Sequence, residues 1–265
     1  MARKKGAEYV GRFKEVDGYL VIDEDSWREV EGDSYIGEDD AVENTRMGSA
    51  IEAEYRSLRL QRGWTFMGTS DRTLREARVA FVGLNPGGGG PNDNYDYSGI
   101  WAVETGNGYF DERWGPNGTQ TTIQKQVQQW HKIIGVGPYQ SFCANFVPFR
   151  SQNWISLVPK TEVLAFAKRL WAWVLDESPA SLFVTMGKRP AHHLADLLEA
   201  KHVAQFPTGW GRQTIDVWDA PDGRRVVGMP HPSRYALFCR SGDASEIAEA
   251  SLRAATGPIR ECLGN

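Results

Sequence analysis

The sequence predicts an α/β protein, a three-layer α/β/α sandwich around a central, largely parallel, four-stranded sheet. Three observations carry this expectation. Apolar, β-branched runs at 79–82, 141–147 and 181–186 read as strands buried on both faces. Segments with helical spacing follow at 121–134, 162–175 and 190–200, and strands alternating with helices build this architecture. A fourth strand ends at Met229, before Pro230-His231-Pro232, and 243–255 closes the chain as a helix.

The elements fall in order along the chain. Residues 1–45 form an irregular lead, with a short strand at Tyr19-Leu20-Val21-Ile22 and an acidic tract after it. From 41 to 62, Met47, Ile51, Tyr55, Leu58 and Leu60 recur near helical spacing. A connector through Gly68 and Asp71 leads to the first buried strand, dividing an N-terminal extension, 1–70, packed on a domain spanning 71–265. A long polar and aromatic loop, 91–117, precedes the helix at 121–134, which stops at Gly135-Val136-Gly137-Pro138. Loops of this length in a compact domain are commonly functional. Asp222-Gly223 is a hairpin pair between 213–218 and 225–227.

Bulk properties bound the function. At 265 residues and 41% hydrophobic, the chain can bury a large core. No run of about 18 apolar residues occurs, so no membrane partner is expected. The N-terminus lacks an apolar signal segment. Cys143, Cys239 and Cys262 lie far apart, without metal-ligand spacing, and fit a reducing, cytoplasmic compartment. The net charge is −4, but residues 21–45 hold ten acidic side chains against Arg28, a local −9. The other 240 residues therefore carry +5, so a basic face for nucleic acid is compatible with the acidic whole.

The chain is organised around Gly83-Leu84-Asn85-Pro86-Gly87, which continues as Gly88-Gly89-Gly90. A strand that delivers one polar side chain and then backbone without side chains is built for a ligand at its carboxyl end. The stretch is not a dinucleotide fingerprint or a Walker loop, because neither spacing closes. Asn145 and His231 also fall at strand ends. Each has an ordinary structural explanation alone: a turn asparagine, a satisfied core amide, a histidine between prolines. Parallel strands bring all three to one edge.

These residues resemble the motifs of the uracil-DNA glycosylase superfamily across roughly residues 78–240. Gly83-Leu84-Asn85-Pro86-Gly87 is similar to its first motif, in the Asn form of the mismatch-specific and single-strand-selective branches. His231-Pro232-Ser233 is similar to its last, and Asn145 stands where the family reads the base. The resemblance implies a monofunctional DNA glycosylase that leaves an abasic site and needs no cofactor and no metal, working as a monomer on DNA. Asn85 would position water, His231 would stabilise the departing pyrimidine at its O2, and Asn145 would read the flipped base. Tyr97 or Trp101 would stack on that base. Gly88 and Ser233 would hold phosphates, and Arg234 and Tyr235 occupy the loop that enters the duplex. Arg234 departs from the commoner proline at the fourth position of the last motif. Gly87 replaces the tyrosine by which the principal uracil enzymes block the pyrimidine C5, which implies uracil or C5-substituted pyrimidines as substrate. Two alternatives stand beside this: a phage-defence enzyme for a bulky base such as glucosylated hydroxymethylcytosine, and a non-catalytic DNA-binding member of the fold.

Overall fold

The computed structural model describes residues 9–10, 13–16, 19–22, 28–29, 40–87, 99–104, 106–239 and 243–263, the backbone alone before 46 and at 243–244 and 258–263. In chain order the elements are β1 (Tyr9–Val10), β2 (Phe13–Val16), β3 (Tyr19–Ile22), β4 (Arg28–Glu29), α1 (Asp40–Ser57), α2 (Thr73–Glu76), β5 (Val79–Gly83), α3 (Gly108–Asp111), α4 (Thr122–Ile134), β6 (Ser141–Asn145), α5 (Lys160–Glu177), β7 (Leu182–Met186), α6 (Lys188–Leu197), β8 (Lys201–Pro207), β9 (Thr214–Asp219), β10 (Arg225–Met229) and α7 (Asp243–Leu263). Strands β1 and β4 pair, as do β2 and β3, in two small antiparallel sheets.

The main sheet has the order β6-β5-β7-β10-β9-β8. Its first four strands are parallel, and β9 and β8 extend it antiparallel. The sheet thus has six strands where the sequence predicts four. The β9–β10 hairpin turns at Asp222-Gly223 as expected, with Gly223 at φ 90°. Strand β8 escapes sequence reading because it is an edge strand. Lys201, His202, Val203 and Gln205 are exposed, and a register irregularity lies between His202 and Ala204.

Period-two alternation divides the core. Ala80 and Val82 face one layer with Phe66, Trp171 and Leu194, on the side of α1, α5 and α6. Val79 and Phe81 face the other layer with Trp130 and Leu252, on the side of α4 and α7. The helices therefore cover both faces of a mostly parallel sheet. Helix α4 is framed by local chemistry. Thr121 and Gln124 form a reciprocal capping box, and Gly135 ends the helix at φ 83° with its N–H donating to His131 O.

Residues 64–69 are more than a connector. They run along the outer edge of β6: Thr65 N–H donates to Pro148 O, Asn145 N–H to Phe66 O, and Gly68 N–H to Cys143 O. On their other side Phe66 and Met67 donate to the carbonyls of Ile100 and Trp101. Met47 and Ile51 of α1 are buried in the same core, so α1 packs on the domain. The 91–117 stretch, expected as loop, contains α3 and a 3-10 turn, Pro116–Gly118.

Strand order fixes where a ligand would sit. From β5 the chain leaves toward α4 on one face, and from β7 it leaves toward α6 on the other. Diverging exits from adjacent parallel strands open a crevice at their carboxyl ends. Among the described residues no helix is long and apolar enough to cross a membrane.

Candidate active site

Asn85 lies two residues beyond β5, Asn145 ends β6, Gly187 follows β7, and His231 lies two residues beyond β10. The parallel register brings all four to one edge: Gly83 pairs with Asn145, Val82 with Thr185, and Met229 with Met186.

The Asn85 side chain is held by its nitrogen. Nδ2 donates to Ser151 Oγ at 2.9 Å and to the Pro86 carbonyl at 3.1 Å. Both amide hydrogens are thereby engaged, and among the described residues none donates to Oδ1, which can accept from whatever enters the crevice. Ser151 passes its own hydrogen to the Asn153 carbonyl at 2.9 Å, so its oxygen is set to accept from Asn85. Arg150 supports the same turn, donating from Nη1 to the Gly87 carbonyl. Neither Ser151 nor Arg150 is marked in the sequence. Ser151 lies 66 positions from Asn85, and only the fold joins them.

Asn145 is half-buried. Its Nδ2 donates to Thr65 O at 3.2 Å, which leaves one amide hydrogen and Oδ1. That oxygen explains Gly83, because a Cβ there would sit 2.8 Å from Asn145 Oδ1. Gly87 is exposed, and a Cβ on it would meet none of the described residues within 4 Å.

His231 is partly buried. Its Nδ1 lies 2.8 Å from Ser233 Oγ and accepts from the Ser233 backbone N–H at 3.3 Å. A backbone N–H can only donate, so Nδ1 carries no proton and the neutral ring bears its hydrogen on Nε2. Burial, and then the nearby Arg234 guanidinium, hold the imidazole below its ordinary range, so it is neutral at pH 7. A neutral Nε2–H is a donor suited to an oxygen where negative charge develops. Gly187, at φ 114°, lets the β7–α6 turn pass beside this ring, and a Cβ there would be 3.4 Å from His231 Cδ2.

The His231 loop is anchored from α4. The Gln126 side chain, fully buried, donates to the carbonyls of Pro232 and Tyr235 and accepts from Phe238 N–H. Glutamine on the core face of an amphipathic helix was the available signal. In this loop Ser233 and Arg234 are exposed, whereas Tyr235 is partly buried and meets Trp210 edge to face at 6.4 Å.

The remaining expected residues divide. Trp101 stacks on Phe66 at 5.0 Å and leans on Trp173 at 6.2 Å, with its indole nitrogen buried. It is engaged with the core on the α5 side. Tyr97 and Gly88 lie outside the described residues. Lys188 and Arg189, adjacent at the start of α6, separate. Arg189 is exposed, but Lys188 is partly buried, donates to Thr214 O and pairs with Asp216. Asp216 comes from β9, whose presence beside β10 the charge pattern alone does not indicate. His192 and His193 pack on Trp218 and Phe146, as ordinary helix residues do. Among the described residues no group of three His, Cys, Asp or Glu side chains is arranged to hold a metal ion.

Comparison of the sequence with models of protein families and with curated proteins finds no match to either.

Proposed function

We propose that this chain is a DNA glycosylase of the uracil-DNA glycosylase type, hydrolysing the N-glycosidic bond of a flipped nucleotide and leaving an abasic site. One observation carries the reading: Asn85 and His231 stand at the same sheet edge, each held by one side of its polar group. Asn85 offers only an acceptor and neutral His231 offers a donor. Hydrolysis of a glycosidic bond requires both. Water donates a hydrogen bond to Asn85 Oδ1 and approaches the anomeric carbon. The C–N bond breaks ahead of the attack, because an amide is too weak a base to create hydroxide. The electron pair leaves with the base, His231 Nε2–H stabilises the charge that gathers on its O2, and the proton released as water adds to the anomeric carbon passes through solvent to the base anion. Asn145 presents an N–H and an oxygen to the base edge, a pattern that reads a pyrimidine.

The open space at Gly87 favours a substrate larger than plain uracil. A pyrimidine carrying a hydroxymethyl or glucosylated hydroxymethyl group at C5 would meet no side chain from that residue. This keeps two biological roles in view, repair of an oxidised pyrimidine and excision of a hypermodified phage base.

End-labelled oligonucleotides bearing uracil, 5-hydroxymethyluracil or glucosylated hydroxymethylcytosine, treated with alkali after incubation, test the reading. Gly87→Tyr places a bulky side chain where the C5 substituent is proposed to sit, and its Cβ meets no described atom within 4 Å. The expected result is cleavage by the wild type at a C5-substituted base, and loss of that activity with retention of uracil excision in Gly87→Tyr. No abasic sites on any base, with DNA still bound, would leave the non-catalytic alternative standing.

A further inference from the structure

We infer that the turn Trp154–Ser156 is a finger that enters a DNA duplex beside the flipped nucleotide, with Ile155 as its inserted tip. The inference rests on the glycosylase reading and adds a residue that its motifs do not include. Ile155 is 80% exposed, and Val158 is 64% exposed three residues on. An exposed isoleucine is unremarkable on a mobile loop, but this turn is fixed. Asn153 Oδ1 accepts from the N–H groups of Ile155 and Ser156, while Ser156 Oγ bonds back to both the N–H and the carbonyl of Asn153. Leu157 is buried beneath, so the exposed tip has a rigid base.

Position supplies the partner. The Asn153 carbonyl also accepts from Ser151 Oγ, and Ser151 Oγ accepts from Asn85 Nδ2. Two hydrogen bonds through the Ser151 side chain therefore connect the finger to the residue that would hold the attacking water. On its other side the Arg189 guanidinium lies 5.4 Å over the Trp154 ring, at the start of α6 and one residue from Lys188. An apolar tip flanked by an exposed cation suits a base stack edged by phosphates.

Extruding a nucleotide leaves a gap in the stack, which apolar side chains commonly occupy. The loop after His231 exposes only Ser233, Arg234 and Cys239 at 231–239, with Leu237 and Phe238 buried. It has no exposed large apolar side chain for that task. Ile155 does.

The experiment compares the full-length wild type with Ile155→Ser and Ile155→Leu on the three modified bases, each in duplex and in single-stranded form. The serine variant should excise from duplex about tenfold or more slowly, while single-strand excision stays within about twofold and the leucine variant keeps duplex activity. Equal losses on both substrates, or none on duplex, would overturn the finger. A duplex with 2-aminopurine next to the target position separates this result from failure of the glycosylase reading. If the wild type binds DNA but excises no base, the enzymatic reading falls. In that case a fluorescence rise on binding for wild type but not for Ile155→Ser supports the finger, and equal signals refute it. If the wild type does not bind DNA, both fall.

Discussion

Two histidines at opposite edges of the sheet show how this fold separates structure from chemistry. His131, on α4, sits at the amino end of β6. Its Nδ1 lies 2.9 Å from Val127 O, which can only accept, so Nδ1 bears the proton and Nε2 accepts from Ser141 Oγ at 2.8 Å. The ring stacks on Phe81 at 4.1 Å and is 2% exposed. His231, at the carboxyl edge, is neutral too but in the opposite tautomer, and among the described residues only its Nδ1 is engaged. Burial lowers the pKa of both. What differs is the spare valence. Every polar group of His131 is satisfied internally, whereas His231, Asn85 and Asn145 are each fixed through one atom and leave another for a ligand. Depressed pKa alone does not identify a site; an anchored group with an unspent donor or acceptor does.

The largest expected effects separate the two edges. His231→Ala and Asn85→Ala should each lower single-turnover excision by about 10²–10³-fold, the size typical of removing one preorganised donor or its equivalent. Thermal stability should stay close to that of the wild type, since both side chains are partly exposed. A His231→Ala rate within about threefold of wild type, under ~1 kcal/mol in the barrier, would refute the leaving-group role.

His131→Leu should do the reverse, leaving excision per folded molecule unchanged while stability falls by about 2–4 kcal/mol, because it removes the stacked ring and the shortest hydrogen bond of the buried Ser141 hydroxyl, leaving that group a longer one to Pro138 O. It also has a pH signature. The folded pKa of His131 is lowered from 6.5 to about 4, chiefly by burial. Its stabilising contribution is complete above the unfolded value and is lost as pH falls through the folded value. A shift of this order corresponds to about 3 kcal/mol. Urea melts between pH 7 and 4 should therefore decline more steeply for wild type than for His131→Leu, and parallel curves would contradict the assignment.

The same contrast explains what the sequence made legible. The parallel strands announced themselves as apolar runs, and Asn85, Asn145 and His231 stood out as polar residues at their ends. That pattern is local in sequence, and the fold places all three at one edge. Ser151 and Gln126 act over 66 and 106 positions, through contacts that have no spacing rule. Strand β8 was missed because an exposed edge has no core face to impose alternation. The Lys188–Asp216 pair has no sequence signal, because Asp216 lies on β9, 28 positions away, and is brought in by the pairing of β9 with β10. Trp101, a candidate for the base, stacks on Phe66, a contact the sequence does not announce, since an aromatic residue in a long loop reads the same whether it packs inward or faces a ligand.

The smallest effect probes how the carboxyl edge keeps His231 neutral. Burial is the main cause of its lowered pKa, and the Arg234 charge is the second. Removing that charge in Arg234→Gln should raise the pKa toward the ordinary 6.5 without changing the burial. A protonated ring has a hydrogen on Nδ1, so the Ser233 backbone N–H can no longer donate to it, and of the two bonds that orient Nε2 only the contact with Ser233 Oγ remains, now with Nδ1 as donor. Excision should therefore fall as pH drops through this pKa. The acid limb of the single-turnover rate should lie below pH 6.5 in the wild type and at higher pH in Arg234→Gln, with the plateau above pH 7.5 little altered. Arg234 is exposed, so solvent and salt screen its influence, and the displacement should shrink as ionic strength rises. An acid limb that moves downward in the variant would contradict the sign of the interaction. One that stays in place at low salt would leave burial alone to account for the neutral ring.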